Sequence, residues 1–146
     1  MSLDDANGIP GEVIQTTLRA ENLSDWAGGE FIIAYDTRMI SDVVNVEATD
    51  LASSFAVQYH DDGTGLLHIA LASDAPVSGN GGLVRISLRI APAPFRLGKT
   101  TLALAAAYLN DVAGRDFATS ALQQTIIRQN GALQVGWPTY LPFILK

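Results

Sequence analysis

Fifteen acidic side chains, eleven Asp and four Glu, are the first candidates for chemistry in this chain. Two carboxylates facing each other across a cleft would make a glycosidase pair. Most of these acids stand in turn-like stretches, where a short carboxylate accepts backbone N–H bonds. No pair is set apart from that role, so no catalytic residue is assigned. The two histidines, His60 and His68, flank a hairpin that also carries Asp61 and Asp62. A zinc site needs three or four converging ligands; solvated strand-end histidines are the simpler reading, and no metal site is assigned. The chain has no cysteine, which removes thiolate nucleophiles, disulfides and cysteine metal sites. Ser78-Gly79-Asn80-Gly81-Gly82 is glycine-rich but lacks the Lys-Ser/Thr of a phosphate loop and precedes a strand, so it is expected to be a flexible loop. Asn110 to Asp116 has the flavour of a calcium loop, with the wrong ligand spacing and no terminal Glu. Trp26, Trp137 and the tyrosines could stack on sugar rings, but no strand shows an outward aromatic row.

Composition narrows the classes further. Hydrophobic residues make up 48% of the 146 and charged residues 16%, which excludes a disordered chain and leaves one domain with a real core. The net charge of −6 and nine scattered Lys and Arg give no basic face for nucleic acid. No apolar run is long enough to span a membrane. Met1-Ser2-Leu3 lacks the basic start and apolar run of a signal peptide. The chain is read as a mature or excised region, with Met1 to Leu3 a candidate vector remnant.

Strands must position whatever site exists. Ile14, Leu18 and Ala20 share one side of a strand from Val13 to Asn22, and Asn22 to Asp25 is expected to turn the chain. The stretch Glu30 to Val46 organises the rest: Phe31, Ile33 and Tyr35 alternate, Asp36 caps a turn at Thr37-Arg38-Met39, Ile40 returns to the core, and Val44 and Val46 continue as strand. Asp50 to Ser54 is a loop. Phe55, Val57 and Tyr59 alternate, Asp61-Asp62-Gly63-Thr64-Gly65 is a hairpin turn, and Leu67, Ile69 and Leu71 form the inward row of the return strand. Ser73 to Gly82 reads as a loop. Val84, Ile86, Leu88 and Ile90 alternate with Arg85, Ser87 and Arg89 before Pro92 and Pro94. Leu102, Leu104 and Ala106 mark another strand, Asn110 to Asp116 a turn, and Leu122 to Arg128 and Ala132 to Val135 the last strands around Asn130-Gly131. No window shows a capped helical period. Eight to nine strands with frequent turns mean an all-β sandwich or barrel.

The segment Tyr35-Asp36-x-x-x-Ile40, followed by valines two apart, resembles the Tyr-Asp-Pro-x-x-Leu segment of cohesin modules, with Thr37 in place of Pro and Ile40 in place of Leu. The same order of features continues through Gly11-Glu12-Val13, Tyr59 to Ala72, Gly82 to Ile90 and Asn130-Gly131-Ala132-Leu133-Gln134-Val135. The resemblance covers Gly11 to Val135 and departs between Gly114 and Thr125, which is longer than in the family. It implies an antiparallel jelly-roll β-sandwich over 11–135, between an N-terminal extension, 1–10, and an apolar Pro-containing tail, 136–146.

Two strands also break the inward–outward rule. Ile32 and Ala34 point away from the Phe31 row, and Ala70 and Ala72 away from the Ile69 row, so an apolar strip is expected on an outer sheet face. In cohesins that face receives dockerin. Carried over residue by residue, the resemblance implies contacts at Glu30, Ala70, Ala72, Tyr59 and Ser73, and the strip adds Ile32, Ala34 and His68. Alternation points Tyr59 inward, and Gly28 stands where an Asn is common in the family. Asp36 is assigned a structural role in its turn. The expectation is a non-catalytic, extracellular or cell-surface module that binds a dockerin-like partner and helps assemble polysaccharide-degrading proteins. It needs no cofactor, and calcium belongs to the dockerin partner. The alternatives are a carbohydrate-binding module and a structural domain of a surface protein. The tail Gly136 to Lys146 resembles the Tyr-Leu-Pro-hydrophobic endings of secreted proteins from Chloroflexus-like bacteria; it is expected to pack on a sheet face or edge, with self-association as one outcome.

Overall fold

The computed structural model describes residues 1–113 and 128–136. Of the strand expected over Leu122 to Arg128, residues 122–127 lie outside the described residues, as does the packing expected of the tail beyond Gly136. Among the described residues there are eight strands: β1 (Ser2–Leu3), β2 (Ala6–Gly8), β3 (Val13–Ala34), β4 (Ile40–Ala48), β5 (Ala56–Asp61), β6 (Leu66–Ile90), β7 (Gly98–Asn110) and β8 (Gly131–Val135). A single short 3-10 turn, Asp50–Ala52, is the helical element among the described residues.

Hydrogen bonding runs unbroken in the order β2-β8-β7-β3-β6-β4, with β1 attached to β3 and β5 to β6. Two very long strands fold this sheet onto itself. The first part of β3 pairs with the last part of β6, from Val13↔Arg89 to Ala20↔Gly81, and β4 and β1 flank that pair. The last part of β3 pairs with the first part of β6, from Gly28↔Ala72 to Ala34↔Leu66, flanked by β5 and β7. The two layers therefore share strands, and their inner rows meet in one core. Ile14, Leu18, Val84, Ile86 and Leu88 come from one layer; Phe31, Ile33, Leu67, Ile69 and Leu104 come from the other. Among the described residues every strand pair is antiparallel except β2 with β8, which is parallel and modifies the expected all-antiparallel roll. Residues 1–10 supply β1 and β2, and Leu3 is buried in the core.

The corner between the layers explains two differences from the sequence expectations. Asn22 to Asp25 does not end a strand, and Ser73 to Gly82 is not a free loop. The two stretches pair with each other through bulges at Leu23↔Gly79 and Trp26↔Val77. Asn22 and Asp25 take positive φ of 58° and 52°. Their amides are satisfied by side chains from the glycine-rich stretch: Asn22 N–H donates to Asn80 Oδ1 at 2.6 Å and Asp25 N–H to Ser78 Oγ at 3.0 Å. Bulges bend and twist a strand without ending its pairing, which is what lets one strand serve both layers. Trp26 fills the corner, fully buried, its ring stacked on Phe55 at 4.4 Å and its indole N–H donated to the Gly28 carbonyl at 2.7 Å. It is not a sugar platform.

Bulges also shift three expected rows. In β4 the register slips between Val43 and Asn45, so Val43 packs on the core and Val44 is exposed. In β6 the slip opposite Leu18 and Arg19 brings Leu83 into the core beside Val84. In β7 a slip at Ala105 places Ala106 opposite Ile32 on the outside, not in line with Leu102 and Leu104.

Candidate functional site

The outer face of the β5-β6-β3-β7 layer is built rung by rung from backbone register. Gln58, Ala70, Glu30 and Tyr108 stand in one row across the four strands; His60, His68, Ile32 and Ala106 stand in the next. Ala56, Ala72, Gly28 and Asn110 form the row on one side, and Leu66, Ala34 and Ala103 the row on the other. Opposed residues in an antiparallel pair share a face, so these side chains form one surface. Its middle is low and apolar, because alanines and glycine occupy most of β6 and β3. Ala70 and Ala72 are exposed and Ile32 and Ala34 half-buried. Glu30, Gln58, His60 and His68 ring a shallow depression of about 280 Å³ beside Ile32 and Ala70.

The structure thus brings Glu30, Ile32, Ala34, His68, Ala70 and Ala72 together on one face. It places two other candidates elsewhere. Tyr59 lies opposite Ile69, on the inner side of β5, and is 42% exposed, β5 being an edge strand among the described residues. Ser73 follows Ala72 at the rim, where its hydroxyl donates to the Ala75 carbonyl at 3.0 Å and accepts the Ala75 amide at 3.1 Å. Gln58, His60, Ala106 and Tyr108 are the residues that the sequence reading omitted. A fixed register across the Asp61–Gly65 hairpin would have found the first two. Nothing in the sequence marks the last two, because the bulge at Ala105 reverses the faces of β7.

Gly28 and Gly29 make the close strand contacts of this face possible. A Cβ at Gly28 would collide with the Leu71 carbonyl oxygen, and one at Gly29 with that of Tyr108. The Asn that the family resemblance places at Gly28 is thus sterically excluded from this backbone.

The lower end of the face is tied down by the Tyr35-Asp36 pair. Tyr35 N–H donates to the Gly65 carbonyl at 2.8 Å, and its buried phenol donates to Asp61 Oδ1 at 2.7 Å. Both bonds hold the β5–β6 hairpin against the end of β3. Burial, followed by the hydrogen bond to Asp61, raises the Tyr35 pKa above the usual phenol range. Asp36 Oδ1 accepts the Arg38 amide at 2.9 Å, and the Arg38 guanidinium reaches the same carboxylate through Nε and Nη2. That side-chain bond first, then the amide, lowers the Asp36 pKa. Arg38 also lies over the Phe95 ring, 4.3 Å from its centroid. In the hairpin, Asp62 is held below the usual carboxylate range by the Thr64 hydroxyl, then by the Thr64 amide.

Among the described residues, no three His, Asp or Glu side chains converge to hold a metal, and no helix is long and apolar enough to cross a membrane. The face also carries, at Glu30, a carboxylate with no ion-pair or hydrogen-bond partner among the described residues.

No family model matches the sequence, and no curated protein does. Solved structures do match. A non-cellulosomal cohesin from the archaeon Archaeoglobus fulgidus superposes with a TM-score of 0.76 at 17% identity, covering 98% of this chain and 94% of that one. A cohesin–dockerin type I complex from Clostridium thermocellum matches with a TM-score of 0.75 at 14% identity, covering 92% of this chain and 96% of that one. The sixth cohesin of scaffoldin B from Acetivibrio cellulolyticus, solved with a dockerin, matches with a TM-score of 0.76 at 14% identity, over 92% and 96% of the two chains. The chain has the fold of cohesin modules. None of these matches supports the Chloroflexus-like source suggested by the tail.

Proposed function

With the cohesin fold as premise, we propose that this chain is a non-catalytic docking module whose outer β5-β6-β3-β7 face receives a dockerin-like helical partner. The observation that carries the reading is the face itself: three adjacent strands, β6, β3 and β7, present Ile32, Ala34, Ala70, Ala72 and Ala106 outward, where an antiparallel sheet that faces water would carry polar side chains. A helix can lie on such a surface because the small side chains let its backbone approach. The matches from Clostridium thermocellum and Acetivibrio cellulolyticus described above were both solved with a dockerin. Glu30, His60, His68 and Tyr108 supply the polar contacts around the apolar strip, and calcium belongs to the partner. The module would serve at the cell surface or outside it, in assembling proteins that act on polysaccharide.

The carbohydrate-binding alternative asks for a row of outward aromatic rings. Among the described residues this face carries one, Tyr108, while Trp26 is buried and Tyr59 lies on the other side. Calorimetric titration with the dockerins encoded in the same genome tests the proposal. A saturable one-to-one complex that protects amides of β3 and β6 from exchange supports it. Folded protein that binds none of those dockerins overturns it.

A further inference from the structure

We propose that His60 and His68 form a two-imidazole binding site for a divalent transition-metal ion of the zinc, nickel or copper type. The two residues are direct partners across the β5–β6 pair. Both are exposed and line the same depression on the outer face. Neither imidazole has a hydrogen-bond or ion-pair partner among the described residues. Opposed residues in an antiparallel pair hold their Cβ atoms about 4.5–5.5 Å apart. Two nitrogens bound to one tetrahedral zinc stand about 3.3 Å apart, given Zn–N bonds of about 2.0–2.1 Å. Imidazoles hung from that rung reach this separation by rotation of their side chains alone, with no change in the backbone.

The surroundings leave room for such a chelate. Among the described residues β5 is an edge strand, and none of their strands crowds the outer flank of His60. Ile32 lies on the other flank of His68, and Ala70 and Gln58 form the adjoining row. The Asp62 carboxylate lies within electrostatic reach of both rings. A cation between the rings would therefore sit in a favourable field. Imidazole ligation selects zinc, copper and nickel over the hard cations calcium and magnesium, which prefer oxygen. Two protein ligands leave the remaining coordination positions to water and open toward solvent, so the ion would be exchangeable and not a structural staple.

This site stands independently of the docking reading, because the histidine pair binds or fails to bind the ion whatever partner the face receives. The test uses the whole chain without any affinity tag, titrated with Zn2+ alone near neutral pH. Binding is read by calorimetry and by the ring-proton NMR signals of the two histidines. The expected result is one ion per chain, with both ring signals moving together. H60Q and H68Q should each weaken binding about tenfold or more, and Ca2+ should leave both rings unmoved. Both substitutions are on the surface, so unchanged thermal unfolding will show that the variants fold. Ring signals that do not respond to Zn2+, or Zn2+ binding undiminished in both variants, would overturn the proposal.

Discussion

Tyr35→Phe removes one oxygen from a buried side chain and leaves its ring in place. The lost phenol donates at 2.7 Å to Asp61 Oδ1. A hydrogen bond to a charged group contributes about 1.5–3 kcal/mol. Asp61 retains the Gly63 amide at 3.2 Å and is only half-buried, so water can replace the phenol. The lower end of that range, about 1.5 kcal/mol, is therefore expected at neutral pH. The pH dependence adds a second, independent signature. The folded state raises the Tyr35 pKa, chiefly through burial, whereas an unfolded tyrosine titrates near pH 10. Above that value the unfolded chain loses a proton that the folded chain keeps, so this contribution is complete below pH 10 and is lost as pH rises. As long as the folded phenol stays protonated, wild type loses about 0.8 kcal/mol by about pH 10.5 and about 1.4 kcal/mol by about pH 11 through this one group. The Phe variant loses nothing through it, and contributions common to both proteins cancel in the difference. The stability gap should therefore close from about 1.5 kcal/mol to near zero across that window. Urea unfolding followed by tryptophan fluorescence at a series of pH values measures it. A gap that is absent at neutral pH, or stays constant into the alkaline range, would refute the assignment.

Ile32→Arg and Ala72→Arg should each abolish dockerin binding by placing a bulky charge in a desolvated contact, with the far-UV spectrum and unfolding midpoint retained; titration of folded variants decides. Asp36→Ala should cost about 1 kcal/mol, the usual value for a lost cap. Because the folded Asp36 pKa is lowered by the Arg38 bonds, this difference should hold above about pH 4 and fade as pH falls through the folded value, which acid titration of stability will show. Gly28→Asn should lower the denaturant midpoint, because its Cβ meets the Leu71 carbonyl oxygen; an unchanged midpoint would mean that the strands separate freely there. Trp26→Ala should cost about 3–5 kcal/mol by opening the corner that the ring fills, measured by chemical unfolding with circular dichroism.

Much of the fold was legible because inward rows have period two. The rows of Phe31, Ile33 and Tyr35, of Leu67, Ile69 and Leu71, and of Val84, Ile86, Leu88 and Ile90 lie in the core as alternation predicts. The outward strip at Ile32, Ala34, Ala70 and Ala72 could be seen in the same way, since apolar residues there broke the pattern. Bulges were not legible. One inserted residue reverses every face beyond it, and the sequence around Ala105 is so uniformly small that neither register leaves a mark. Tyr108 was accordingly invisible as a surface residue. The corner was misread for a related reason. Asn22, Asp25, Ser78 and Asn80 have the composition of turns, yet their polar groups bond to each other and carry two strands through a bend. His60 was visible only as one side of a hairpin, because its partner depends on the register of the turn.

The sharing of β3 and β6 between both layers has a kinetic consequence. Their pairing begins, in sequence terms, at Ala34↔Leu66 and ends at Val13↔Arg89, separations of 32 (66 − 34) and 76 (89 − 13) residues. Closing the shorter loop is favoured by about 0.8 kcal/mol of chain entropy; β5 and the four-residue Asp62–Gly65 connection lie within it, and the β5–β6 hairpin can form within microseconds. Chain entropy thus favours a folding nucleus in the outer-face layer, with β3 laid onto an existing hairpin and the pairing extended through the corner; φ-values that are higher around Val13 and Arg89 than around Ile33 and Leu67 would refute this order. The second layer can only follow, since its central strands are continuations of the first. A chain built this way assembles its contact surface before its back is complete, and the long separations at the far end set the pace of the whole process.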